Sequence, residues 1–274
     1  MQYNPYLPGT PVKDASFPVH FVSVSNFLRF GSIMKHETLK AKGQIKTFPL
    51  VEMANDPRIH QRLIFVSHRW VGNSPDDSKN SQYKYICDMM KKFQNPDEFY
   101  LWIDYCSMPQ DNQDEKLRTI HLLNNILSHC MYTMIVLLDS DPEGKEYVQR
   151  VWCFYEWTAS IQYGKVPILR NPRVGKSLYS HAYKTIRLIC EEGALNFLEQ
   201  AKAQYGPHAM NVIQNVVVED DIFNKKAFCR VLQASFEKDK ETLFQNVKAC
   251  LSLSSILFLE SFSQGHFQTI YFEK

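Results

Sequence analysis

The segment Arg150-Val151-Trp152-Cys153-Phe154-Tyr155-Glu156 sets a tryptophan and a carboxylate four residues apart. On a helix that spacing stacks both side chains on one face. An aromatic ring beside an acid suits a ligand that carries a flat cationic base and a ribose. Two further stretches end apolar runs in polar side chains: Phe65-Val66-Ser67-His68-Arg69-Trp70 and Leu101-Trp102-Ile103-Asp104-Tyr105. His68, Arg69, Trp70 and Tyr105 stand at those polar ends as candidates for a binding role, to be decided by whether these pieces meet in one cleft, and Arg69 has the planar fork that suits a phosphate.

Each of these residues also has an ordinary structural use. Glu156 fits an exposed acid near a helix start, where the helix dipole favours it. Trp152 and Trp157 fit core anchors. Arg69 fits an ion pair with Asp104 or Asp139, and His68 a hydrogen bond that holds a strand end. Asp104 fits an acceptor for loop amides, and Cys153 a small core residue. Cys106 falls in a stretch expected to be an exposed loop, with nothing beside it to mark a nucleophile. The histidines show neither HExxH nor another paired ligand spacing, so no metal site is expected. No glycine-rich phosphate loop occurs, which argues against P-loop and GxGxxG chemistry.

The positioning elements follow from hydropathy. Compact apolar runs predict strands over 63–66, 99–103, 132–138 and 166–169, with Val216-Val217-Val218 as a fifth. Between them, Tyr83, Ile86, Met90 and Phe93, and then Leu117, Ile120, Leu123 and Leu127, repeat at helical spacing. Further helices are expected over 150–163, 178–203 and 239–251, the first capped by Gly164. Strict alternation of strand and helix predicts an α/β fold with a parallel sheet and helices on both faces. Pro5, Pro8, Pro11 and Pro18 make residues 1–57 an extension with an extended entry. It has room for a short strand over 20–24 and a helix within 26–42. The main domain is expected over 58–252 and a tail over 253–274.

Bulk properties bound the partners. With 274 residues, 45% of them hydrophobic, the chain can bury an ordinary core. Charged residues make up 22% and the net charge is +2. That balance gives no electrostatic case for nucleic acid or for an anionic membrane surface. Seven scattered cysteines without CxxC, and a polar, proline-rich start, predict free thiols in a reducing cytoplasm. The apolar stretch 254–262 is too short to span a bilayer.

The order of these pieces resembles the Toll/interleukin-1 receptor (TIR) domain family. Ser67-His68-Arg69 is similar to its first strand end, Asp104 to the aspartate before its BB loop, and Trp152-Cys153-Phe154-Tyr155-Glu156 to its Trp-Cys-x-x-Glu helix. Gly164-Lys165 and Val166-Pro167-Ile168 are similar to the next turn and strand. Trp102-Ile103-Asp104 through Gln110 and Glu115 is also similar to the heterokaryon-incompatibility domain, a TIR-like relative. The resemblance covers residues 62–170. It implies a flavodoxin-like sheet of about five strands in the order 2-1-3-4-5, with a ligand crevice where the order reverses.

It also implies cleavage of the nicotinamide–ribose bond of NAD, as substrate rather than cofactor, in immune or cell-death signalling. Glu156 matches the catalytic glutamate, which would stabilise an oxocarbenium-like sugar. Trp152 would stack on nicotinamide, a cation–π contribution on the order of 1 kcal/mol. Water as acceptor gives ADP-ribose, and an adenine nitrogen gives a cyclic isomer. Self-association through the loops is expected, either to complete the site or, in a non-catalytic adaptor, as the function itself.

Overall fold

The protein is represented by a computed structural model that describes residues 14–170, 172–206, 223–234, 237–250 and 270–271. By its internal contacts the chain divides into two compact units. One comprises residues 1–139, 163–170 and 269–274, and the other residues 140–162 and 171–268.

A seven-stranded sheet organises the first unit. Its strands are β1 (Pro18–Ser23), β2 (Ile45–Pro49), β3 (Leu63–His68), β4 (Tyr100–Trp102), β5 (Tyr132–Val136), β6 (Val166–Leu169) and β7 (Ile270–Tyr271). They lie in the order β2-β1-β4-β3-β5-β6-β7. From β4 to β7 all pairings are parallel, with Leu63 opposite Tyr100 and Ile64 opposite Tyr132. β1 is antiparallel to both β2 and β4.

The central strand β3 is buried along its whole length, which is why its first four residues read as a continuous apolar run. Alternate side chains serve opposite faces. Ile64 and Val66 join Leu101, Ile103, Met134, Val136 and Ile168 in one core with Phe27, Ile86 and Met90. Phe65 instead stacks flat on Trp102, with ring centroids 4.7 Å apart.

The helix Ser81–Met90 starts without a side-chain cap, because Asn80 takes a left-handed conformation with φ 52°. The preceding loop supplies the missing acceptors. Asp76 accepts from the amides of Gln82 and Tyr83 at 3.0 and 2.8 Å, and Asp77 from that of Ser81 at 3.0 Å.

The second unit contains helices Val151–Gln162, Pro172–Ile189, Glu192–Tyr205, Lys225–Val231 and Glu237–Cys250. The entry to Val151–Gln162 is tied down by two backbone bonds, Val151 N–H to the Gln233 carbonyl (2.8 Å) and Gln233 N–H to the Gln149 carbonyl (2.7 Å). Cys153 to Ser160 are all buried, and the hydroxyls of Thr158 and Ser160 donate back to the Tyr155 and Trp157 carbonyls at 2.9 and 2.7 Å.

The α/β class stands, and the sheet differs from expectation in count and order. Among the described residues seven strands stand where about five were expected, because the segment 18–49 contributes β1 and β2 to the sheet. The sheet is thereby mixed rather than wholly parallel. The expected 2-1-3-4-5 run is contained within it as β4-β3-β5-β6-β7. The fifth place in that run belongs to β7 at Ile270–Tyr271, within the stretch expected as a tail. Val216-Val217-Val218 lies outside the described residues. The single helices expected within 26–42 and over 178–203 are each two, Val24–Phe27 with His36–Ala41, and Pro172–Ile189 with Glu192–Tyr205.

Candidate functional site

In the first unit the site grows from the carboxyl ends of two neighbouring parallel strands. β3 ends at His68, followed by Arg69 and Trp70. β4 ends at Trp102, and Asp104 opens the one-turn helix Asp104–Ser107. The Asp104 carboxylate joins the two ends. Its Oδ1 accepts from His68 Nε2 at 2.9 Å and from the Tyr105 amide at 2.5 Å, and its Oδ2 accepts from the Trp70 indole N–H at 2.6 Å. Trp70 and Tyr105 meet edge to face, with centroids 5.5 Å apart and planes at 86°.

Burial works to raise the Asp104 carboxyl. The attraction of His68 and the bonds from His68, Trp70 and Tyr105 outweigh it and hold the group below the usual carboxylate range. Asp104 is therefore an anion at neutral pH with its oxygens largely engaged. A quarter of its side-chain surface stays open, while His68 retains only 2%. The arrangement orients the His68 and Trp70 rings.

A second layer fixes the loop that follows Asp104. Gln110 Nε2 donates to the carbonyls of Asp104 (3.2 Å) and Met108 (2.8 Å), and Lys116 donates to Gln110 Oε1 at 3.1 Å. Glu37 accepts from the amides of Gln110 and Asp111 at 2.6 and 2.8 Å, and Lys35 pairs with Asp111. Lys35 and Glu37 were not among the sequence candidates. They lie some seventy positions from the loop, and no motif joins the two segments.

The structure thus brings together His68, Trp70 and Tyr105 around Asp104. Arg69 follows half-buried, with its carbonyl accepting from Gln82 Nε2 at 2.9 Å. Asp139 pairs with Arg170 at 3.6 Å. Cys106 corrects an expectation: it is fully buried rather than exposed, and burial pushes its thiol far up, which removes it as a nucleophile.

In the second unit, Trp152 and Glu156 occupy successive turns of the Val151–Gln162 helix. Trp152 is half-buried, donates its indole N–H to Asp239 Oδ2 at 3.1 Å, and meets Tyr155 with centroids 6.3 Å apart. Glu156 is 9% exposed. Trp157 is a core anchor against Tyr179, at 5.4 Å. Asp239 was not foreseen, since 87 residues separate it from Trp152. Asp141 is buried and accepts from the Tyr147 amide at 2.8 Å, which fixes the short turn of helix before Arg150.

Among the described residues no group of three or more His, Cys, Asp or Glu side chains is arranged to hold a metal ion, and no helix is long and apolar enough to cross a membrane. Comparison with curated proteins and with solved structures found no match, and no TIR family model matched. Residues 64–176, which span Asp104, Gln110, Trp152 and Glu156, match the family model described as Heterokaryon incompatibility protein (HET).

Proposed function

We propose that the chain is a cell-death signalling module of the incompatibility type whose activity is cleavage of the nicotinamide–ribose bond of NAD. The observation that carries this reading is the placement of Trp152 and Glu156 one turn apart on a helix within the matched stretch 64–176. In the proposed chemistry the Glu156 carboxylate stabilises the cationic sugar as nicotinamide leaves as a neutral base, and Trp152 stacks on that base. Water then attacks the sugar to give ADP-ribose, or an adenine nitrogen does so to give a cyclic isomer.

A second reading rests on different facts. Glu156 keeps only 9% exposure and the Trp152 indole is engaged by Asp239. Both suit a helix whose polar groups serve packing, in a module that signals by assembly alone.

Nicotinamide release from NAD separates the two. The purified chain is tested at concentrations from dilute to self-associating, beside Glu156→Gln. The enzymatic reading expects release that falls at least about 100-fold in the variant, the scale of losing a charge-stabilising group. Equal release by both proteins removes Glu156 from the mechanism. No release at any concentration, with self-association intact, selects the assembly module.

A further inference from the structure

Three consecutive residues, Lys35-His36-Glu37, grip the loop that begins at Asp104. Lys35 and Glu37 hold its far end at Gln110 and Asp111. His36 holds its near end, with Nδ1 3.1 Å from the Cys106 carbonyl. Because a carbonyl only accepts, Nδ1 carries the hydrogen. In the neutral ring the bare nitrogen is then Nε2, which is buried and has no hydrogen-bond partner. His36 is 1% exposed. A second proton must therefore go to Nε2, at a place without an acceptor.

A second imidazole stands beside that place. The His20 ring, from β1, lies 5.1 Å from the His36 ring at an angle of 41°, with its Nδ1 on the Thr47 hydroxyl at 2.9 Å. The charged groups around His36 are Glu37 and Lys40 from its own helix, Glu115 from the helix Gln113–His121, and His20. Burial holds His36 below its ordinary value. The Cys106 carbonyl and Glu37 oppose that effect, Lys40 adds to it, and Glu115 opposes it. For His20, burial comes first and the charges of His36 and Lys40 follow, bringing it down to about 4.

We propose that the His20–His36 pair is an acid-operated catch on the Asp104–Asp111 loop, closed while both rings are neutral and released when they take up protons. A charged His36 must turn Nε2 toward water, and in turning it leaves the Cys106 carbonyl. The loop then loses its tie to His36 while keeping those at Gln110 and Asp111, and the hold of Asp104 on the two strand ends weakens. This inference does not depend on the NAD reading.

The sign is fixed by linkage. Both rings titrate lower in the folded chain than when free, so the closed state is favoured above about pH 6.5 and loses ground as pH falls toward the folded value. For His20, titrating at about 4 when closed, the open-to-closed ratio rises by at most about 20-fold between pH 7 and pH 5, the limit in which opening frees the ring fully.

Hydrogen exchange of the full chain tests this, read by mass spectrometry over residues 104–112 and corrected for the intrinsic pH dependence. The expected result is a roughly tenfold or greater loss of protection at pH 5 relative to pH 7, with the helix Ser81–Met90 unchanged as internal control. His20→Gln is expected to show a smaller pH response, keeping only the part that His36 supplies alone. His36→Phe, which fills the site but cannot bond Cys106, is expected to exchange at pH 7 as the native loop does at pH 5. Equal native protection at both pH values, joint loss by loop and control helix, or an undiminished response in His20→Gln would each overturn the proposal. Should His36→Phe not fold, the native and His20→Gln profiles decide.

Discussion

Asp104 holds three donors on two oxygens, and its charge is what makes that arrangement favourable. Asp104→Asn keeps the shape but presents an N–H₂ to one of the donors. The expected cost is about 2–4 kcal/mol, the scale of leaving a largely buried polar group without its partner, measured by urea unfolding at pH 7. The folded carboxyl lies below its unfolded value of about 3.9, so its contribution is complete above that pH and is lost as pH falls further. The gap between native chain and variant should therefore close below about pH 4, and a gap that persists there would show that the charge is not the cause. Residue types alone made His68, Trp70 and Tyr105 visible as a set. What stayed hidden was their direction, because a polar side chain at a strand end reads the same in sequence whether it faces a ligand or a neighbouring carboxylate. Cys106 was misread for a related reason: a one-turn helix over Asp104–Ser107 turns it inward, and four residues are too few to show a period.

Helix Ser81–Met90 shows how an element can depend on a residue outside it. Asn80, its nominal cap, donates or accepts nothing there through its side chain, and the buried Asp76 carboxylate serves the first-turn amides from five positions upstream of the helix. Asp76→Ala should cost about 2 kcal/mol, the upper end of cap losses, and should lower protection first in residues 81–86 by hydrogen exchange. If Asn80→Ala proves the more damaging of the two, the capping assignment is wrong. The helix itself was legible, since Tyr83, Ile86 and Met90 form a clear stripe toward the sheet core. Its cap was not, because Asp76 and Asp77 look like any other polar residues of a loop. Strand β3 was legible for the opposite reason: burial on both faces leaves an uninterrupted apolar run. The break near Leu122, which splits one expected helix into Gln113–His121 and Leu123–Ser128, carries no glycine or proline to announce it.

The parallel half of the sheet follows from alternation of strand and helix, and local pattern was enough to place β3 to β6. Of the antiparallel half only the short strand expected over 20–24 was legible, and it overlaps β1; β2 and the pairing of both with the sheet were not, because they lie in a segment whose prolines suggest an extension. Whether a strand joins a sheet is settled by the partner edge it covers, and β1 covers β4 through Val22 opposite Leu101. This makes the segment 18–49 part of the sheet's core. Phe21, Val22, Val24, Phe27 and Leu39 are all fully buried. At about 2 kcal/mol for each such side chain their loss amounts to about 10 kcal/mol, comparable with the entire stability of an ordinary domain, about 5–15 kcal/mol. Deletion of residues 1–57 would also bare the β4 edge, an open template for pairing with other chains. The truncated chain should accordingly be recovered insoluble, or soluble without a cooperative thermal transition. A 58–274 chain that stays monomeric by sedimentation and melts cooperatively near the native midpoint would mean that the five parallel strands are self-sufficient, and that β1 and β2 decorate the sheet rather than complete it.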